Sequence, residues 1–283
     1  MHMKSFVLVF LTALLVMTPK SSRESGSARP ILEEMLKAVK QVRTLRYELE
    51  ATERVKDRVL SAGSAIKINM HPRKIYFKSI RKGIEVLYVD HHNKNHALVN
   101  PNRFPYMNLS LDPYKSIMRQ NQHHTIFELG FAQIGQITEM AMRKHSNDFD
   151  RHFFYVGTVT HEGKICDKIY AEFSNFRYIN YTAKKGETAR SIGQKFAVGE
   201  FRIYLKNEDL SFNEVIPEGK VIRIPSDYGS KILLHIDRET KLPLYLSAFD
   251  DQGFYESYSF SKLKVNSPIP EEEFRRDFPD YRF

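Results

Sequence analysis

The hydrophobic positions along this chain follow two periods and break between two turn-rich boundaries. From Pro30 onward, Ile31, Met35, Ala38, Val39 and Val42 recur at helical spacing. Glu33 and Glu34 fall in the expected first turn, with Lys37, Lys40 and Arg43 further on, which suits a helix dipole and predicts one amphipathic helix of about four turns. The period then drops to two. Leu45 to Val55, Ser61 to Met70, Lys74 to Ile80, Ile84 to Asp90 and Ala97 to Val99 read as strands. His71-Pro72-Arg73 and Lys82-Gly83 supply turns, and Asn100 to Pro105 closes the run. The inward face is expected to carry Ile66, Ile68, Met70, Ile75, Phe77, Val86 and Tyr88. Helix is expected over 112–120 and 127–144. Phe153 to Thr160 and Lys164 to Phe173 then pair across His161-Glu162-Gly163 as a hairpin. Strands resume at Ser230 to Asp237, Leu244 to Phe249 and Phe254 to Leu263, and a tail follows with Phe274, Phe278, Tyr281 and Phe283 as docking points. Neither half alone fills a sheet face, so the last strands are expected to pair with those before the interruption.

The interruption, residues 180–228, has its own order. A short strand ends in Lys185-Gly186-Glu187-Thr188, where Gly186 allows a tight exit and Glu187 and Thr188 stand ready to cap a helix. Ile192 and Phe196 lie four residues apart on one helical face and are expected to point inward. A second short helix ends at Asn207. Pro217-Glu218-Gly219 turns the chain into Val221-Ile222-Arg223-Ile224-Pro225, beside the first strand. This order of residues resembles the LysM module, with Glu187 in place of the commoner Asp and Glu208 in place of the usual Pro. The resemblance implies recognition of N-acetylglucosamine glycans, chiefly peptidoglycan or chitin. It also implies a shallow groove between Lys185, Gly186, Glu187, Thr188 and Ala189 on one side and Asn207, Glu208, Asp209 and Leu210 on the other, with Ile216 as its apolar floor. A degenerate module kept as a spacer is the alternative.

The flanking sequence Leu234-His235-Ile236-Asp237-Arg238-Glu239-Thr240-Lys241-Leu242-Pro243-Leu244, followed by Asp250-Asp251-Gln252-Gly253 and a Tyr/Phe-rich strand, resembles the DUF1571 family. In plan it is similar to periplasmic carriers of the LolA/LolB type, which implies a half-open barrel that holds an acyl chain. A solid sheet core accounts for the same inward residues. The fold class expected is α+β: a curved antiparallel sheet, a LolA-like half-barrel, with helices, formed discontinuously by 29–179 and 229–283, plus an inserted βααβ LysM module at 180–228.

Composition and charge narrow the setting. Lys4 and the apolar run Phe6 to Met17 read as a signal peptide over residues 1–28, too short for a spanning helix, with small residues at Gly26-Ser27-Ala28. A periplasmic location is expected, with an uncleaved membrane anchor as the alternative. The single cysteine, Cys166, excludes an intramolecular disulfide. Of the net charge of +9, Arg29–Asn100 contributes fifteen basic against eight acidic residues, whereas Tyr181–Asp227 holds eight against seven. For an exported chain a basic face suits anionic lipid or wall polymer and not nucleic acid.

Catalytic patterns are weak. Ser79-Ile80-Arg81-Lys82 has the S-x-x-K spacing, but that chemistry needs a helix and the segment reads as strand and turn. Cys166 has the setting of a small core residue next to Ile165 and Ile169. His91, His92 and His96 beside Asp90 have the composition of a metal cluster but read as a solvated turn, as does His123-His124. Asp250-Asp251 reads as turn chemistry. The expectation is a non-enzymatic binding protein without cofactor or metal, whose partners are peptidoglycan or a related glycan and a lipid or lipoprotein acyl chain. An envelope scaffold protein or a wall-modifying enzyme are the alternatives.

Overall fold

The computed structural model describes residues 27–283. The expected signal peptide lies outside these residues except for its last two. Ser27 caps the first helix, its hydroxyl accepting from the Arg29 N–H, and Ala28 is already buried in the core. Helix α1 (Ala28–Lys40) therefore starts two residues before Pro30. Glu33 and Glu34 fall beyond the first turn, where the dipole has largely faded.

Strands β1 (Thr44–Val55), β2 (Arg58–Asn69), β3 (Lys74–Ser79), β4 (Glu85–Val89), β5 (Ala97–Asn100) and β6 (Leu109–Leu111) follow as a meander. Residues expected to be helical over 112–120 form only a short 3-10 turn at Ser116–Arg119. A second 3-10 turn at Ile126–Glu128 precedes helix α2 (Ala132–Lys144). Helix α3 (Phe149–His152) leads into the expected hairpin of β7 (Phe153–His161) and β8 (Lys164–Glu172). The interruption holds β9 (Tyr178–Thr182), α4 (Ala189–Phe196), α5 (Glu200–Lys206) and β10 (Val221–Pro225). Strands β11 (Lys231–Asp237), β12 (Pro243–Asp250) and β13 (Gly253–Val265) complete the chain before its tail.

One eleven-stranded sheet runs β6-β5-β4-β3-β2-β1-β13-β12-β11-β8-β7. As expected from the two incomplete halves, β11 pairs with β8 across the interruption and β13 returns to β1, all antiparallel. The alternating positions put Tyr47, Ile66, Ile68 and Ile75 on one face, where Leu32 and Met35 of α1 and Ile134 and Ile137 of α2 cover them. The tail covers the other face of β1–β4. Glu273 pairs with Arg46 and Lys67, and the Tyr281 ring stacks on Tyr76 at 3.8 Å. Holding both faces of those strands this way requires the tail.

The interruption is a βααβ unit with its own apolar cluster, centred on Ile192, Ile203, Ile222 and Ile224. Gly193 lets the two helices approach, because a Cβ there would lie 2.9 Å from the Val198 carbonyl. Two expectations fail. Phe196 is 38% exposed and packs edge-on against Tyr181, so only Ile192 of that pair points inward. The boundaries also move: Tyr178 already pairs with Pro225, whereas Tyr228 is buried in the core of the larger unit.

Candidate functional site

The sheet face beneath the helices is apolar until its strands run under the inserted unit. Period two places Phe260, Tyr258 and Glu256 of β13 on that face, and Leu49, Ala51 and Glu53 of β1 beside them. Glu53 and Glu256 stand opposite each other in the strand register and are both buried. Two neighbouring carboxylates in a core need partners, because burial of an unpaired charge is expensive. Tyr258 donates to Glu53 at 2.6 Å and to Glu256 at 3.1 Å, and Tyr228 donates to the other Glu256 oxygen. The His123 N–H of the main chain reaches Glu53 at 2.9 Å, and its Nδ1 lies 2.8 Å from Glu256.

Both ring nitrogens of His124 face carboxylates, Glu128 and Glu256, each at 3.3 Å. Burial would lower the His124 pKa, but the Glu256 charge and the hydrogen bonds to Glu128 and Glu256 hold it well above the ordinary histidine value. Burial likewise opposes ionised Glu256, yet His124 and the bond from His123 hold that carboxyl well below its usual range. The His123-His124 pair expected in a solvated turn is therefore the centre of a buried ionic cluster. The detectable signal was a pair of charges, Glu53 and Glu256, at positions where strand alternation calls for apolar residues.

An apolar cavity of about 60 Å³ opens from this cluster between α2 and the sheet, with His124, Tyr228 and Tyr258 at its polar end and Ile134 and Phe260 along its walls. A second void of about 20 Å³ continues under α2 between Thr138, Ala141 and Phe173. Ile137 and Leu246 line both. The two voids thus adjoin at these side chains. Gly130, just before α2, has φ 90°, and its N–H donates to the Tyr47 hydroxyl at 2.9 Å. That conformation suits glycine.

The inserted unit closes the polar end. Phe201 of α5 stacks on the His123 ring, and Arg119 forms a buried ion pair with Glu200. Arg202 is fully buried with its guanidinium 3.6 Å from the Tyr255 ring centre and 4.9 Å from that of Tyr228. None of its three nitrogens has a hydrogen-bond partner among the described residues. Arg190 lies 3.5 Å over Tyr114, and Lys144 and His145 reach Asp227.

The proposed glycan-groove residues are largely engaged in the unit itself. Glu187 accepts from Tyr181 and the Lys184 N–H and pairs with Lys195; Thr188 caps α4. The Glu187 carbonyl accepts from Ile216 N–H at 2.8 Å, and Thr188 bridges to Val215. Ala189 and Ile216 are buried in the cluster, so Ile216 offers little floor. Asn207 donates to Ile203 and Arg223 and accepts from the Arg223 N–H, which fastens α5 to β10. Asp209 pairs with Lys220, Leu210 packs against the cluster, and Lys185, Gly186 and Glu208 are exposed.

Cys166 is buried, which pushes its thiol up to about 11, although Ile165 is exposed. His91 and His92 lie exposed after β4, and Ser79 ends β3 with its hydroxyl on the Lys82 N–H. Asp250 does more than turn the chain, since it is buried against Arg54. Among the described residues, two groups hold potential metal-ligand atoms within 4.8 Å of one another: Glu53, His124 and Glu256, and His145, Asp148 and His152.

Residues 42–182 match DUF1571, a family of proteins of unknown function. The Leu234–Leu244 block that resembles the same family lies beyond the matched span. No curated protein matches the chain. Among solved structures, the Mycobacterium tuberculosis lipoprotein LppX is 13% identical with a TM-score of 0.40, covering 86% of this chain and 99% of LppX. A LolA superfamily protein from Nitrosomonas europaea is 8% identical with a TM-score of 0.34, covering 90% of this chain and 100% of that protein. MucB, crystallised with MucA from Pseudomonas aeruginosa, is 11% identical with a TM-score of 0.39 over 87% of this chain, which spans only 59% of the matched chain. No described helix is long and apolar enough to cross a membrane.

Proposed function

We propose that the chain is a non-catalytic binding protein of the cell envelope, whose larger unit holds an apolar chain between α2 and the sheet. The observation that carries this reading is the pair of apolar voids that meet at Ile137 and Leu246, with an ionic cluster beside the larger one. An acyl chain with a polar head matches that polarity. The voids are far smaller than the roughly 150 Å³ that admits benzene, so α2 has to lift for a chain to enter. Gly130 is placed to hinge that movement, at the expense of its bond to Tyr47. Native mass spectrometry of protein purified from a membrane-containing host should show a copurified lipid. Ile137→Trp, which fills the seam, should abolish uptake of a fluorescent fatty acid. Absence of lipid together with no uptake of that probe would overturn the reading.

A second reading concerns the inserted unit. Its βααβ order, the Thr188 cap and the exposed Lys185, Gly186 and Glu208 support attachment to N-acetylglucosamine glycan, the property implied by LysM resemblance. The protein should sediment with insoluble peptidoglycan or chitin, with weak dependence on salt because this unit is near neutral. Because Asn207 fastens α5 to β10, the second loop is better probed by Glu208→Arg than at Asn207. Sedimentation that disappears in moderate salt would leave the unit as a spacer.

A further inference from the structure

The loop joining β5 to β6 leaves three large apolar side chains in water. Phe104 is 81% exposed, Tyr106 83% and Met107 61%. Tyr106 has φ 54° and donates its N–H to the Arg103 carbonyl at 2.7 Å, a tight turn that carries Phe104 outward at its tip. The turn between β3 and β4 lies alongside, tied on by Asn102 donating to the Lys82 carbonyl at 3.1 Å, and it exposes Ile80. Scattered apolar residues on a surface need no explanation, but four on two joined turns do.

The exposed charge on the two turns themselves is of one sign. Arg81, Lys82 and Arg103 are exposed on the same two turns, and Arg282 reaches Asn102 at 3.2 Å. The acidic residue of β4, Glu85, is buried and spent on Lys78 and the Arg282 N–H. Asp280, in the adjoining tail, is the exposed acid nearest in sequence to Arg282. A soluble polyanion would satisfy the basic side chains and leave Phe104, Tyr106 and Met107 unused. An anionic bilayer uses both sets, with tyrosine at headgroup level and cations against the surface potential.

We infer that these joined turns are a membrane-docking surface, in which Phe104, Tyr106 and Met107 enter the bilayer interface and Arg81, Lys82 and Arg103 meet anionic headgroups. This stands whether or not the seam under α2 holds a lipid. The chain contains no tryptophan, so Phe104→Trp places a single reporter at the tip. In the full chain its emission should shift to the blue with phosphatidylglycerol vesicles and be quenched by brominated lipid. Phosphatidylcholine vesicles should leave it nearly unchanged. Replacing Arg81 or Arg103 by Glu in that background should lower partitioning by about fivefold or more for each basic residue lost. The signal comes from the loop itself, so the N-terminal apolar run, common to every variant, does not enter it. Should Phe104→Trp fold poorly by circular dichroism, Tyr106→Trp takes its place. An unshifted spectrum at saturating anionic lipid, equal shifts with neutral lipid, or the same shift with a soluble polyanion alone would each overturn the inference.

Discussion

Ile137→Ala tests the seam most directly, because Ile137 separates the two voids and is only 4% exposed. The substitution removes three carbons, worth about 2.4 kcal/mol of transfer free energy at ~0.8 kcal/mol each. The vacated space adds a further penalty of about 24 cal/mol per Å³ that the surroundings do not refill, which brings the expected loss to between 2 and 5 kcal/mol, roughly the range for such cuts. The voids of about 60 and 20 Å³ already present contribute nothing to this difference, but they merge with the new space. The variant should therefore be less stable and yet take up a small apolar probe better than the wild type. Urea unfolding with an unchanged m-value measures the first effect, and a fluorescent apolar probe the second. A loss under about 1 kcal/mol, or a variant that binds no more probe than wild type, would refute the claim that the seam is packed shut around Ile137.

The ionic cluster sets a pH window. The depressed Glu256 pKa gives stability that is present above the unfolded value and is lost as pH falls through the folded one; the raised His124 pKa gives stability that is complete below the unfolded value and lost as pH rises through the folded one. The urea midpoint should thus fall on both sides of a plateau, and His124→Gln should remove the alkaline limb and move the acid limb to higher pH, because Glu256 loses the charge that holds its pKa down. Ile192→Asp should unfold the inserted unit, at about 4 kcal/mol or more for a buried charge, whereas Phe196→Asp should be tolerated within about 1 kcal/mol because its ring is partly in water. Hydrogen exchange over 178–225 would separate the two outcomes, and equal loss of protection would contradict the placement of Phe196. Glu200→Gln leaves Arg119 buried against a neutral amide and should cost about 3–5 kcal/mol, read as one coincident melting of both units. A cleanly independent host transition in that variant would show that the units are not coupled through α5.

Most strands, the hairpin at Glu162-Gly163 and the βααβ order were legible in the sequence, because alternation and turn chemistry act over a few residues. So was the pairing of β11 with β8, which follows from two halves that each lack a complete face. The short 3-10 turn at Ser116–Arg119 was not, since its residues serve long-range contacts: Arg119 turns inward to Glu200, eighty-one positions away. The histidines at 123 and 124 looked like solvated turn residues for the same reason. Their partners, Glu53 and Glu256, come from strands far apart in sequence that become neighbours only in the folded sheet. Local pattern determines which face of a strand is apolar. Whether an exception on that face meets water, a counter-charge or a cavity is decided by what packs over it, and here that is α5 of the inserted unit together with α2. Phe196 shows the converse, because helical spacing placed it beside Ile192 but the narrow unit had no core left to receive it.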